Sequence, residues 1–140
     1  MKAAVLACAL FASSTALPAL AADADPAIAK QLKALGYEYE VDEDGDYKLL
    51  MATGDDDERS QIVFVRSAVE TYGNLRVREL WSYAYKSPSP AFSAGENAVY
   101  VAKILADANA KTLEDSIAAA AHSADAMEIE LADDPTSDDF

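Results

Sequence analysis

Two glycine-marked turns constrain this chain more than any other feature, because each joins runs of strand-forming residues and so dictates antiparallel pairing. Tyr37 to Asp42 alternates aromatic or aliphatic with acidic residues, Asp46 to Ala52 is again rich in strand formers, and Glu43-Asp44-Gly45 lies between them. A three-residue loop at 43–45, with Gly45 in the left-handed position, puts Tyr37, Tyr39, Val41, Tyr47, Leu49 and Met51 on one face. Glu38, Glu40, Asp42, Asp46, Lys48 and Leu50 then take the other. A two-residue loop at Asp44-Gly45 would mix tyrosines with Lys48, so the longer loop is preferred.

The second turn, Gly73-Asn74, separates Ser60 to Tyr72 from Leu75 to Lys86. Pairing across it gathers Ile62, Phe64, Tyr72, Leu75, Val77, Trp81, Tyr83 and Tyr85 on one side. Val77, Leu80, Trp81 and Ala84 also fit a helical spacing, but the density of Val, Trp and Tyr favours a strand over 75–86. Ala98 to Leu105 reads as a further strand with apolar residues on both faces. Loops are expected at 55–58, which is wholly acidic, and at Ser87-Pro88-Ser89-Pro90, extending toward Gly95.

Helices flank this meander. Asp25 can cap, Pro26 suits a first turn and Gly36 can close the end, with Ile28, Leu32 and Leu35 forming an apolar stripe between them. Residues 112–132 form the second helix, with a capping-box-like start at Thr112-Leu113-Glu114-Asp115 and a buried side through Leu113, Ile117, Ala120, Ala124, Met127 and Leu131. The expected architecture is α+β: an antiparallel sheet of about five strands, with the N-terminal and C-terminal helices packed on one face. It occupies residues 22–132 as a single domain, followed by an acidic C-terminal tail at 133–140.

Residues 1–21 have the form of a cleavable signal peptide. Lys2 is followed by an apolar stretch to Leu17 and a small-residue site at Pro18-Ala19-Leu20-Ala21, while Ser13, Ser14, Thr15 and Pro18 break any membrane-length apolar run. Export to the periplasm or beyond is expected, with no membrane span after signal removal. Cys8, the only cysteine, leaves with the signal, so the fold stands without disulfides. The full chain carries −14; removing Lys2 makes the mature charge −15. With no basic stripe to oppose that field, nucleic acid is disfavoured as a partner.

Little in the sequence resembles reaction chemistry. The single histidine, His122, falls opposite the apolar stripe of the second helix, and the parts of a zinc site or a Cys/His or Ser/His nucleophile are missing. Testing Asp42-Glu43-Asp44-Gly45-Asp46 as a calcium loop with Gly45 at the sixth position puts Met51 where the closing Glu belongs. It reads as a structural turn. No catalytic, cofactor or metal site is therefore expected. The remaining candidate is the aromatic side carrying Phe64, Trp81, Tyr83 and Tyr85. It reads first as hydrophobic core beneath the helices, since a sheet must bury one face, and second as a partner or dimer surface, since Trp and Tyr are enriched at interfaces.

Several stretches resemble the YbjN family, whose fold is like that of type III secretion chaperones. They are Leu32-Lys33-Ala34-Leu35-Gly36-Tyr37 leading into Asp42-Glu43-Asp44-Gly45-Asp46, Val77-Arg78-Glu79-Leu80-Trp81-Ser82, and Ala124-Asp125-Ala126-Met127-Glu128 with the terminal Asp138-Asp139-Phe140. The resemblance implies helices on an antiparallel sheet, frequent dimerisation, and a non-enzymatic role in binding or regulating other proteins. The leading expectation is thus an exported protein-binding domain whose partner is another protein, with a homodimer as one arrangement. The competing one is a small-ligand or calcium binder using the acidic loops at 42–46 and 55–58.

Overall fold

The computed structural model describes residues 23–54, 58–86, 97–132, 136, 138 and 140. The expected signal peptide at 1–21, the loop expected from Ser87 toward Gly95, most of the one expected at 55–58 and part of the expected tail lie outside the described residues. The elements are α1 (Pro26–Leu35), β1 (Glu40–Val41), β2 (Tyr47–Thr53), β3 (Arg59–Val65), β4 (Glu70–Tyr72), β5 (Leu75–Lys86), β6 (Asn97–Leu105) and α2 (Ala110–Leu131).

Helix α1 forms where its local signals agree. The Asp25 side chain accepts the Ala27 amide, Pro26 occupies the first turn, and Gly36 closes the end at φ 81°, a left-handed conformation that costs a glycine little. The first hairpin has the anticipated register: Val41 pairs with Tyr47, and the Asp42 amide donates to the Asp46 carbonyl, leaving a three-residue loop. Gly45 there has φ 79°.

Among the described residues all pairings are antiparallel, in the order β1-β2-β3-β5, and six strands form in place of about five. The extra one arises because the stretch expected as one strand over 60–72 breaks at 66–69. Ser67 is drawn toward the first hairpin: its amide donates to the Asp46 carboxylate at 2.7 Å and its hydroxyl to the Gly45 carbonyl at 2.6 Å. The chain re-enters the sheet as β4, with Tyr72 opposite Leu75 across the Gly73-Asn74 turn. β6 follows β5 from Val77 to Lys86, so β3 and β4 share the opposite edge of β5. The region 75–86 is strand throughout.

Both helices lie on one face. Tyr47, Leu49, Val63, Val65 and Leu80 point toward Ile28 and Leu32 of α1 and Leu113, Ile117, Ala120 and Ala121 of α2, forming the core. Each fully buried Leu, Ile or Val contributes about 1.5–3 kcal/mol.

Two details of α2 depart from expectation. Its cap is Asn109, whose side chain accepts the Thr112 amide at 2.9 Å, so the helix starts at Ala110 and Thr112 lies inside the first turn. Its buried side ends in Asp125 and Glu128, not in Met127 and Leu131; Leu131 is 46% exposed. The cause is Arg59 on β3, which reaches Asp125 at 2.5 Å and Glu128 at 3.0 Å. Gln61 donates to Glu128 at 2.7 Å, and its side-chain oxygen accepts from Ser82 at 3.1 Å. A buried ion-pair and hydrogen-bond network thus joins α2 to β3 at this end of the sandwich.

Candidate functional site

The aromatic side lies on the sheet face away from the helices. Phe64 and Trp81 are paired partners, as are their neighbours Val65 and Leu80. Successive residues alternate faces, so Val65 and Leu80 enter the core while Phe64 and Trp81 point the other way. The expectation that this side forms the core is corrected: Val63, Val65, Leu80 and the wholly buried Ala84 take that role.

On the open face the rings form a cluster. Phe64 stacks on Trp81 with centroids 4.0 Å apart and planes 8° from parallel. Tyr83 meets both edge-on, at 6.1 Å and 5.1 Å respectively. Tyr85 does not join them. A register shift between Tyr83 and Tyr85 intervenes, pairing Tyr85 with Ala98, and among the described residues Tyr85 makes no ring contact.

Aliphatic residues extend the patch on both sides. Leu50, opposite Ile62 on the β2–β3 ladder, is 72% exposed. Val99 and Val101, opposite Tyr83 and Trp81, are 43% and 47% exposed. Beside Leu50 and Ile62 lies a shallow groove of about 360 Å³, bordered also by Glu38, Tyr39, Glu40 and Lys48.

Charge borders the far end of the face. Lys103 lies 2.7 Å from Glu70 and 2.8 Å from Glu79, and Arg66 lies 3.1 Å from Glu79. The hydrogen bonds that Lys103 donates to Glu70 and Glu79 raise its pKa, while Lys103 and then Arg66 hold Glu79 below the usual carboxylate range. These groups neutralise one another locally.

One contributor was not among the expected surface residues. Phe140 stacks on Tyr83, centroids 5.0 Å apart and planes 18° off parallel. Two residues earlier, the Asp138 carboxylate accepts from the Ser60 amide at 3.2 Å and the Ser60 hydroxyl at 3.2 Å. An aromatic residue inside an acidic tail was the only available signal.

The acidic loop at 42–46 is engaged in its own turn. One Asp42 oxygen accepts the amides of Asp44 and Asp46 at 3.0 Å and 2.9 Å, while Asp46 is buried against Ser67 and within 3.4 Å of Arg66. Among the described residues, no group of three or more His, Cys, Asp or Glu converges as a metal site would require. His122 is exposed. Among the same residues no helix is long and apolar enough to cross a membrane.

Fold and face together define, among the described residues, an α+β sandwich of two layers whose sheet is covered by helices on one side only. No family model, curated protein or solved structure matches the chain.

Proposed function

We propose that this chain is an exported, non-catalytic domain that binds another protein on its open aromatic face, in the manner expected of the YbjN-like proteins it resembles. The observation that carries the proposal is the combination, on one sheet face, of the stacked Phe64–Trp81 pair with the exposed Leu50, Val99 and Val101. Contiguous apolar surface of this kind marks interaction sites, and rigid aromatic side chains dominate binding energy where they are desolvated. The flat rings and flanking aliphatics suit an apolar partner surface.

Affinity capture from extracts of the producing cells, compared across wild type, Leu50→Lys and Trp81→Ala, tests this reading. Leu50 is so exposed that a lysine there leaves the core untouched. A protein retained by wild type and lost by both folded variants supports the reading. Identical capture by all three overturns it.

A further inference from the structure

The β3–β5 ladder runs only from Val63 to Val65 against Leu80 to Ser82. Past Ser82, the edge of β3 is served by other groups: the Ser82 hydroxyl donates to the Ile62 carbonyl at 2.8 Å, and the Ser60 amide donates to Asp138. Asp138 also lies 4.0 Å from the Arg59 guanidinium, and a Phe140 backbone oxygen lies 3.4 Å from the Ser60 hydroxyl. Acid and ring are two residues apart, the spacing at which an extended segment presents both side chains to one surface. The site therefore combines an amide donor at a strand edge, a hydroxyl and a cation for a carboxylate, and the Tyr83 ring for an aromatic side chain.

We propose that this strand-edge site recognises an extended segment of a partner protein carrying a carboxylate two residues before an aromatic residue, and that Asp138 and Phe140 are its intramolecular competitor. The proposal rests on the protein-binding reading of the open face and names the partner's chemistry. A chain of net charge −14 repels carboxylates in general, so an acidic group held here is held by local donors and not by the overall field. The self-contacts suit a displaceable occupant. Asp138 is 33% exposed in its side chain, and its ion pair with Arg59 is long, so this carboxylate is held through a weak, partly solvated contact. Strand-edge donors combined with a side-chain pocket are a common means of binding extended peptides.

The test uses the full chain and an amidated, fluorescein-labelled peptide Thr-Ser-Asp-Asp-Phe, copied from residues 136–140. Fluorescence anisotropy should show at least about tenfold tighter binding to Phe140→Ala than to wild type, because the tail masks the site in proportion to its occupancy. Asp138→Asn should unmask it in the same direction. Replacing the first Asp of the peptide by Asn, or its Phe by Ala, should weaken binding at least about tenfold. Equal affinity for wild type and both variants, no binding to any, or indifference to the peptide substitutions overturns the proposal. So does a wild-type dimer that Phe140→Ala dissolves, which would seat the tail in a second copy. Failure of the peptide with Leu50-sensitive capture intact removes only this inference, while failure of capture removes the underlying reading.

Discussion

Phe64 and Trp81 stand opposite each other on β3 and β5 and stack at 4.0 Å, while their immediate neighbours Val65 and Leu80, also opposite each other, are wholly buried under the helices. The same two strands thus build the core with one set of side chains and the open aromatic face with the other. A slip of one residue in this pairing would exchange the two sets, so burial of Val63, Val65 and Leu80 fixes which rings face outward.

The ring pair should therefore be energetically coupled although it lies outside the core. A double-mutant cycle of Phe64→Leu and Trp81→Leu, read by urea denaturation, should give a coupling of about 1 kcal/mol, the value typical of an aromatic pair beyond its area burial. Additive effects would mean that the rings merely share a surface.

Arg59 should matter far more than its position near a strand end suggests. It faces two carboxylates, Asp125 and Glu128, that are 6% and 2% exposed. Arg59→Met removes that cation and should destabilise the protein by about 3–5 kcal/mol, the usual consequence of stranding buried charge. Lys111→Ala, which removes an exposed pair with Asp115 on α2, should leave the melt unchanged. Equal effects of the two substitutions would contradict the buried network.

What was legible in the sequence was local. Asp25, Pro26 and Gly36 announce α1 within a dozen residues, and Gly45 and Gly73-Asn74 announce their hairpins, because capping and turn chemistry act between near neighbours. The side of the sheet taken by the helices was not legible. Gln61-Ile62-Val63-Phe64-Val65 carries apolar residues at both parities, so alternation favours neither face, and aromatic bulk pointed to the wrong one. On α2 the stripe Leu113, Ile117, Ala121, Ala124 continues by helical spacing to Glu128. An acid in that place signals a buried partner, but nothing along the chain identifies Arg59, sixty-nine positions earlier, as that partner. The contacts of Ser67 with Asp46 and of Phe140 with Tyr83 were beyond reach for the same reason.

The Asp42 carboxylate should behave as a turn device. It accepts two backbone amides, so Asp42→Ala should cost about 1 kcal/mol, whereas Asp42→Asn, which retains an acceptor, should cost much less. Millimolar calcium should not shift the wild-type melting temperature. A calcium-dependent rise abolished by Asp44→Asn would restore the cation-binding alternative.

Acid should weaken the join between α1 and the sheet through Asp25. One of its carboxylate oxygens accepts the Ala27 amide at 2.9 Å and the other takes the Arg78 guanidinium at 2.6 Å, while Arg78, with 5% of its side chain exposed, also donates to the Arg66 and Ser67 carbonyls. Burial by itself raises the Asp25 pKa, but the Ala27 amide and Arg78 together outweigh it and hold the group below its ordinary 3.8. A depressed folded-state pKa stabilises fully above the unfolded value and loses that contribution as pH falls through the folded one. Asp25→Asn keeps a capping acceptor but offers Arg78 no charge, so at pH 7 it should be less stable by about 2 kcal/mol. Its urea midpoint should then converge on that of wild type as pH falls below about 4. Glu70 and Glu79, also lowered by Lys103, titrate alike in both proteins and cancel in the comparison. Parallel curves down to pH 3 would show that the Asp25–Arg78 pair carries no acid dependence.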